Sequence, residues 1–236
     1  NDIDVYGSFE YILGLSVILQ IFVNLGFSGA IPYFILKKKE IKFRDFFNKH
    51  LFYLLCIAFV TYIIYIISLS SFIAAVFIAF LFVLHMQFGV SFKTNGNSAI
   101  GIVVESFFYI SIILFTLMIK IFDVKFELKY LLTFIFIMFV IIFFNTLKKI
   151  NSFKINMQKY YRVFSFTKDV VLFSSTIILV YTTQRFFIGA FLTYNDVGVY
   201  SVIFRMSAVV IVFNQFISNA FYKKIYESNS KNLDLL

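Results

Sequence analysis

Two arginines, Arg185 and Arg205, interrupt long apolar runs. A guanidinium is a planar fork of donors that matches a carboxylate, phosphate or pyrophosphate, so two at one level form a candidate anion site. Arg185 stands about seven residues before the end of its run, and Arg205 about seven after the start of the next. At about 1.5 Å per helical residue, both fall roughly 10 Å from the same boundary. Separate snorkelling of each arginine to nearby headgroups is the alternative at that depth.

Polar residues at helical spacing accompany them. Glu10, Leu13, Val17, Gln20 and Asn24 follow helical steps, with Ser28 one turn further, so Glu10, Gln20 and Asn24 share a face. Ser201, Arg205, Ala208, Val212, Gln215 and Asn219 repeat the pattern in the last run. Such stripes on apolar helices face a bundle interior or a water-filled cavity, or they hydrogen-bond neighbouring helices together. Glu10 lies near the arginine level and is a candidate counter-ion for either. His85 and Glu105 sit at matching depths on consecutive runs. A carboxylate beside an imidazole there suits proton or cation coupling, and equally a structural hydrogen-bonded pair. Asp169 reads as a helix-start residue.

Other chemistries find no support. His50 and His85 have no ligand-spaced partners, so no metal site is expected. The segment Gly96-Asn97-Ser98-Ala99-Ile100-Gly101 lacks the Lys-Ser/Thr of a phosphate loop; it reads as a turn and helix start, with Gly101 permitting close packing. No nucleophile elbow is present, and the longest loop, about 20 residues, leaves no room for a soluble catalytic domain. An enzyme is therefore not expected, and no cofactor. Cys56 stands alone, which excludes a disulfide within the chain, and reads as a small packing residue.

The elements that position these residues follow from composition. With 61% hydrophobic and 14% charged residues, the chain requires lipid as solvent. Seven runs approach the roughly 20 apolar residues of a spanning helix: about 9–36, 51–67, 72–92, 98–120, 130–147, 169–191 and 198–221. The expected fold is an all-α polytopic transmembrane bundle, with Pro32 bending or ending the over-long first run. Lys and Arg concentrate in cytoplasmic loops. Loop 37–50, Lys93, loop 148–168 and the C-terminal tail share one side and hold 16 of the 21 basic residues. Lys120, Lys125 and Lys129 fall on the other side, giving an N-terminus outside and a C-terminus inside. A positive charge distributed as a topology signal argues against a nucleic-acid partner. Residues 1–147 then form a first lobe, 148–168 a basic cytoplasmic linker and 169–236 the start of a second lobe.

Two stretches carry a resemblance. Tyr6-Gly7, with Asn24-Leu25-Gly26-Phe27-Ser28-Gly29-Ala30-Ile31-Pro32, resembles the second transmembrane helix of bacterial polysaccharide (O-antigen) flippases of the MATE-like superfamily. Arg185-Phe186-Phe187-Ile188-Gly189 and Val197-Gly198-Val199-Tyr200-Ser201 resemble the seventh helix and the start of the eighth, with Gln184 where the family often has Asp. The resemblance implies a fragment covering the second to eighth helices of a transporter in the bacterial inner membrane. Its substrate would be an undecaprenyl-pyrophosphate-linked oligosaccharide, and its partners the glycan polymerase and other surface-polysaccharide assembly proteins. It implies that Arg185 and Arg205 hold the anionic headgroup, that Gln20, Asn24, Gln215 and Asn219 line the cavity, and that Glu10, His85 and Glu105 serve ion coupling. A drug or cation exporter and a membrane-embedded polymerase or acyltransferase are the rival readings.

Overall fold

The computed structural model describes residues 2–38, 41–122, 127–147 and 157–207. Among these every regular element is a helix. The chain forms α1 (Asp2–Asn24), α2 (Phe27–Pro32), a π-turn (Tyr33–Lys37), α3 (Ile41–Ser68), α4 (Ser71–Thr94), α5 (Ser98–Phe122), α6 (Leu128–Leu147), α7 (Met157–Phe191) and α8 (Tyr194–Ser207). Four segments, Ile3–Asn24, Phe46–Ser68, Ser71–Thr94 and Ser98–Phe122, are long and apolar enough to cross a membrane; Leu128–Ile141 is a shorter apolar helix. Helices satisfy their own backbone hydrogen bonds, as hydrocarbon demands, and the chain is a membrane protein with a helical-bundle architecture.

The hub is α4, which packs against α1, α3 and α5. Within the protein it buries 72% of its apolar window, against 33% for α1, 28% for α3 and 17% for α5. Small residues allow this: Ala74, Ala75 and Ala79 are fully buried, and Gly89 meets Gly101 of α5. A Cβ on either glycine would sit 2.7 Å from the other's carbonyl oxygen, so the two backbones touch there. The outer faces of α3 (Ile57, Val60, Ile64, Ile67) and α5 (Ile110, Ile113, Leu117, Ile121) leave large apolar side chains exposed, as a lipid-facing surface does. Cys56 lies on that exposed face of α3 instead of packing inside.

Three elements differ from the sequence expectation. The first run already breaks at Leu25 (φ 44°) and Gly26 (φ 75°), and the short α2 that follows ends at Pro32. Gly26 takes the positive φ the break needs, and Thr167 of α7 packs onto it, its hydroxyl shared between the Leu25 carbonyl at 3.1 Å and the Val163 carbonyl at 3.0 Å, with no Gly26 Cβ to clash with it. After Pro32 the helix widens, with the Lys38 N–H bonded to the Tyr33 carbonyl five residues back. Residues 157–168, expected in a loop, are the first turns of α7, which leaves Asp169 mid-helix.

α1 and α7 run antiparallel, Tyr11 beside Gly189, Gly14 beside Arg185 and Gly26 beside Thr167. α8 begins in a capping box. Thr193 Oγ1 accepts the Asp196 N–H at 3.3 Å, and Asp196 Oδ2 accepts the Thr193 N–H at 3.0 Å and its hydroxyl at 2.6 Å. These bonds hold the Asp196 carboxyl below the usual carboxylate range. The cap is therefore complete above that range and weakens as pH falls through the lowered value.

α1 meets α8 where Gly7 faces the backbone of Tyr194 and Gly198, and a Cβ on Gly7 would overlap the Tyr194 carbonyl. Gly7→Ala is expected to destabilise the bundle by about 1–3 kcal/mol through overpacking. Gly29, with nothing within 4 Å of its Cβ position, should accept Ala with a gain of about 0.5–1 kcal/mol from helix propensity. Chemical denaturation of both variants in detergent checks this opposite sign.

Candidate functional site

The glycine contact between α1 and α8 brings Arg205, two turns beyond Gly198, onto Glu10, one turn beyond Gly7. Glu10 is fully buried and receives both arginines: Arg185 Nη1 donates to Oε2 at 3.1 Å, and Arg205 Nη2 to Oε1. One carboxylate thus ties α1, α7 and α8 together, as the counter-ion reading of Glu10 expected. The cluster carries two positive charges against one negative.

The arginines differ in surroundings. The Arg185 side chain is 13% exposed and that of Arg205 49%. Arg185 passes over Gly14, where a Cβ would stand 3.5 Å from its own Cβ, and lays its guanidinium over the Phe204 ring at 4.9 Å. Its Nε is buried without a hydrogen-bond partner. Arg205 instead borders a cavity of about 390 Å³ between α1, α5, α6 and α8, which Tyr6, Glu10, Tyr109 and Thr116 also line. Tyr6 interacts with the Glu10 carboxylate from one turn away. Gly14 and Tyr6 are members that sequence reasoning missed; both lie one turn from Glu10 on its own face, which is the signal that would have found them.

His85 and Glu105 do not form the expected pair. Glu105 is bonded to Lys93 at 2.6 Å, and His85 Nδ1 to the Leu81 carbonyl of its own helix at 2.6 Å. Lys93 stands nearer the α4–α5 turn, and its long stem covers the distance to Glu105. The His85 ring is enclosed by Phe107, Phe108 and Phe139, with Nε2 buried and unpartnered.

A second polar network lies toward the basic end. Gln87 Nε2 donates to Asn24 Oδ1 at 3.0 Å, and Asn24 Nδ2 to Ser28 Oγ at 2.8 Å. His50 stacks on Phe27 at 3.8 Å and bonds Tyr160 at 3.1 Å. Burial, with Tyr53 alongside, pushes the Tyr160 hydroxyl up to about 12, so it remains neutral at physiological pH. Asn24 therefore helps hold α1, α2 and α4 together. Gln20 is half-buried on the same helix. Ser201 is fully buried with its hydroxyl unpartnered. Gln215 and Asn219 lie outside the described residues.

The chain matches no protein-family model, no curated protein and no solved structure.

Removing one partner of a buried ion pair leaves the other charge uncompensated, at a cost of about 3–5 kcal/mol, whereas a half-exposed partner is worth about 1 kcal/mol or less. Glu10→Ala, which leaves two arginines without their counter-charge, is expected near the first figure, Arg205→Ala, which leaves Glu10 paired with Arg185, near the second, and Arg185→Ala, which leaves Glu10 with the half-exposed Arg205, between them. Unfolding titrations in one detergent would order the three variants.

Proposed function

We propose that this protein is a multi-pass transporter of the bacterial inner membrane, N-terminus outside, moving an undecaprenyl-pyrophosphate-linked oligosaccharide across the bilayer by alternating access. The observation that carries the reading is the Glu10–Arg185–Arg205 cluster: an excess of one positive charge, within an apolar bundle, beside a cavity that exposes half of one guanidinium. Charges at membrane depth cost about 2.5–3.5 kcal/mol each on insertion scales and mark functional positions. A guanidinium pair fits a pyrophosphate. The resemblance in 24–32, 185–189 and 197–201 supplies the substrate class.

In this reading Glu10 is the resident anion. The headgroup enters the cavity beside Tyr6 and Tyr109, takes donors from Arg205 first, and competes with the carboxylate for the guanidiniums. Displacing the Glu10 carboxylate frees both arginines for the substrate, so ion coupling and anion binding would meet at one residue. Glu105, neutralised by Lys93, fits a structural position better than an ion-coupling one. An excess of positive charge weighs against a drug or cation exporter.

Deleting the gene in the source bacterium and assaying lipid-linked oligosaccharide on each face of the membrane tests the reading. Accumulation on the cytoplasmic face, rescued by wild type and reduced at least about 10-fold in rescue by Arg205→Ala, is expected, since a bidentate charged contact is worth about 1.5–3 kcal/mol. Unchanged glycan export in the deletion strain contradicts it.

A further inference from the structure

The cavity beside Arg205 is apolar over most of its wall, formed by Val5 and Phe9 of α1, Ile112 and Ile113 of α5 and Leu131 of α6. Its polar end offers few donors. Glu10 has no exposed surface, and the Tyr6 hydroxyl is engaged with it. Thr116 donates its hydroxyl to the Ile112 carbonyl of its own helix at 2.8 Å. What faces the space is the half-exposed Arg205 guanidinium, with Tyr109 beside it. Glu10 engages that guanidinium through Nη2, and the group carries five N–H donors in all. The side of the cavity opens onto lipid. Ile113 lines it and is 61% exposed on the outer face of α5, and Val5 of α1 is 49% exposed. Large apolar side chains exposed at its margin make hydrocarbon the neighbouring medium.

Resting on the transport reading for the substrate, we infer that this cavity takes its carrier end laterally from the bilayer. A phosphate or pyrophosphate sits on Arg205. The first part of a single hydrocarbon chain lies against Phe9, Ile112 and Leu131, and the rest leaves between Val5 and Ile113. An anion asks only for donors, which a guanidinium supplies with charge assistance. A hydrocarbon chain gives up no hydrogen bonds against an apolar wall. A sugar would, because each of its hydroxyls needs a partner and burial without one is costly. The oligosaccharide therefore stays outside this cavity, and selection falls on the lipid carrier and its phosphate, whatever sugars it bears. Two sources share that chemistry, a single-chain phosphate carrier and the bulk anionic phospholipid of the leaflet.

The purified protein in phosphatidylcholine nanodiscs would be photolabelled with dodecyl phosphate carrying a diazirine on its chain, and the cross-linked peptides mapped. Saturable labelling of α1 and α5 around Val5, Phe9 and Ile113 is expected. Unlabelled dodecyl phosphate should displace it, whereas dodecanol, inorganic pyrophosphate and phosphatidylglycerol at the same concentration should not. Arg205→Gln should weaken binding at least about 10-fold through loss of a charged contact. The displacement arms use the wild-type protein, so they stay decisive if the variant does not fold. Displacement by dodecanol would mean that the phosphate plays no part, by pyrophosphate that a soluble anion enters from water, and by phosphatidylglycerol that bulk phospholipid fills the cavity. Any of these overturns the inference, as does labelling unchanged in Arg205→Gln or no stronger than on the outer face of α3. Normal glycan export in the deletion strain, with labelling as expected, would overturn the transport reading alone.

Discussion

A carboxylate with no exposure to solvent, set in an apolar bundle, must be answered by positive charge, and Glu10 is answered by two arginines from two other helices. Neither the acid nor the guanidiniums are tolerable alone in a low-dielectric interior. The three side chains thus fix the relative height of α1, α7 and α8 together with the close glycine contacts beside them. The same contact leaves a positive excess facing a cavity. One constraint sets both the assembly of this end of the bundle and the chemistry available to it.

The rest of the packing serves that contact. Gly7 and Gly198 remove the side chains that would hold α1 and α8 apart, Gly14 leaves the width needed for the Arg185 stem, and Gly189 receives the Tyr11 ring. Gly89 and Gly101 let α5 close on α4. α4 is the buried core against which α1 is held. At the opposite end, the break at Leu25–Gly26 turns the chain so that Thr167 and the first turns of α7 lie against it. α7 therefore carries the ion cluster near one end and the contact with the Leu25–Gly26 break toward the other.

Much of this was legible in the residues because membrane helices write their length directly as apolar runs. The runs 72–92, 98–120 and 130–147 fall within α4, α5 and α6. The common level of Arg185, Arg205 and Glu10 followed from counting residues to a boundary, since rise per residue is constant. Depth, however, does not give rotation about the helix axis. His85 and Glu105 share a depth and face different partners, and Lys93, a residue set aside as a loop charge, reaches Glu105 instead. The basic segment 157–168 looked like a loop because its polar residues show no apolar stripe, which is also how the solvated end of a long helix appears. The break at Leu25–Gly26 is met by Thr167, more than a hundred residues away, and no local signal encodes that contact.

The most direct test of the central claim is a distance measurement in lipid. Solid-state NMR on the protein in bilayers, with the Glu10 carboxylate carbon and the arginine guanidinium nitrogens labelled, would read the carbon–nitrogen dipolar couplings. Couplings from Glu10 to two guanidiniums, one lost in Arg185→Lys and the other in Arg205→Lys, are what the account predicts. A Glu10 carboxylate coupled to neither arginine, or to only one of them, would contradict it.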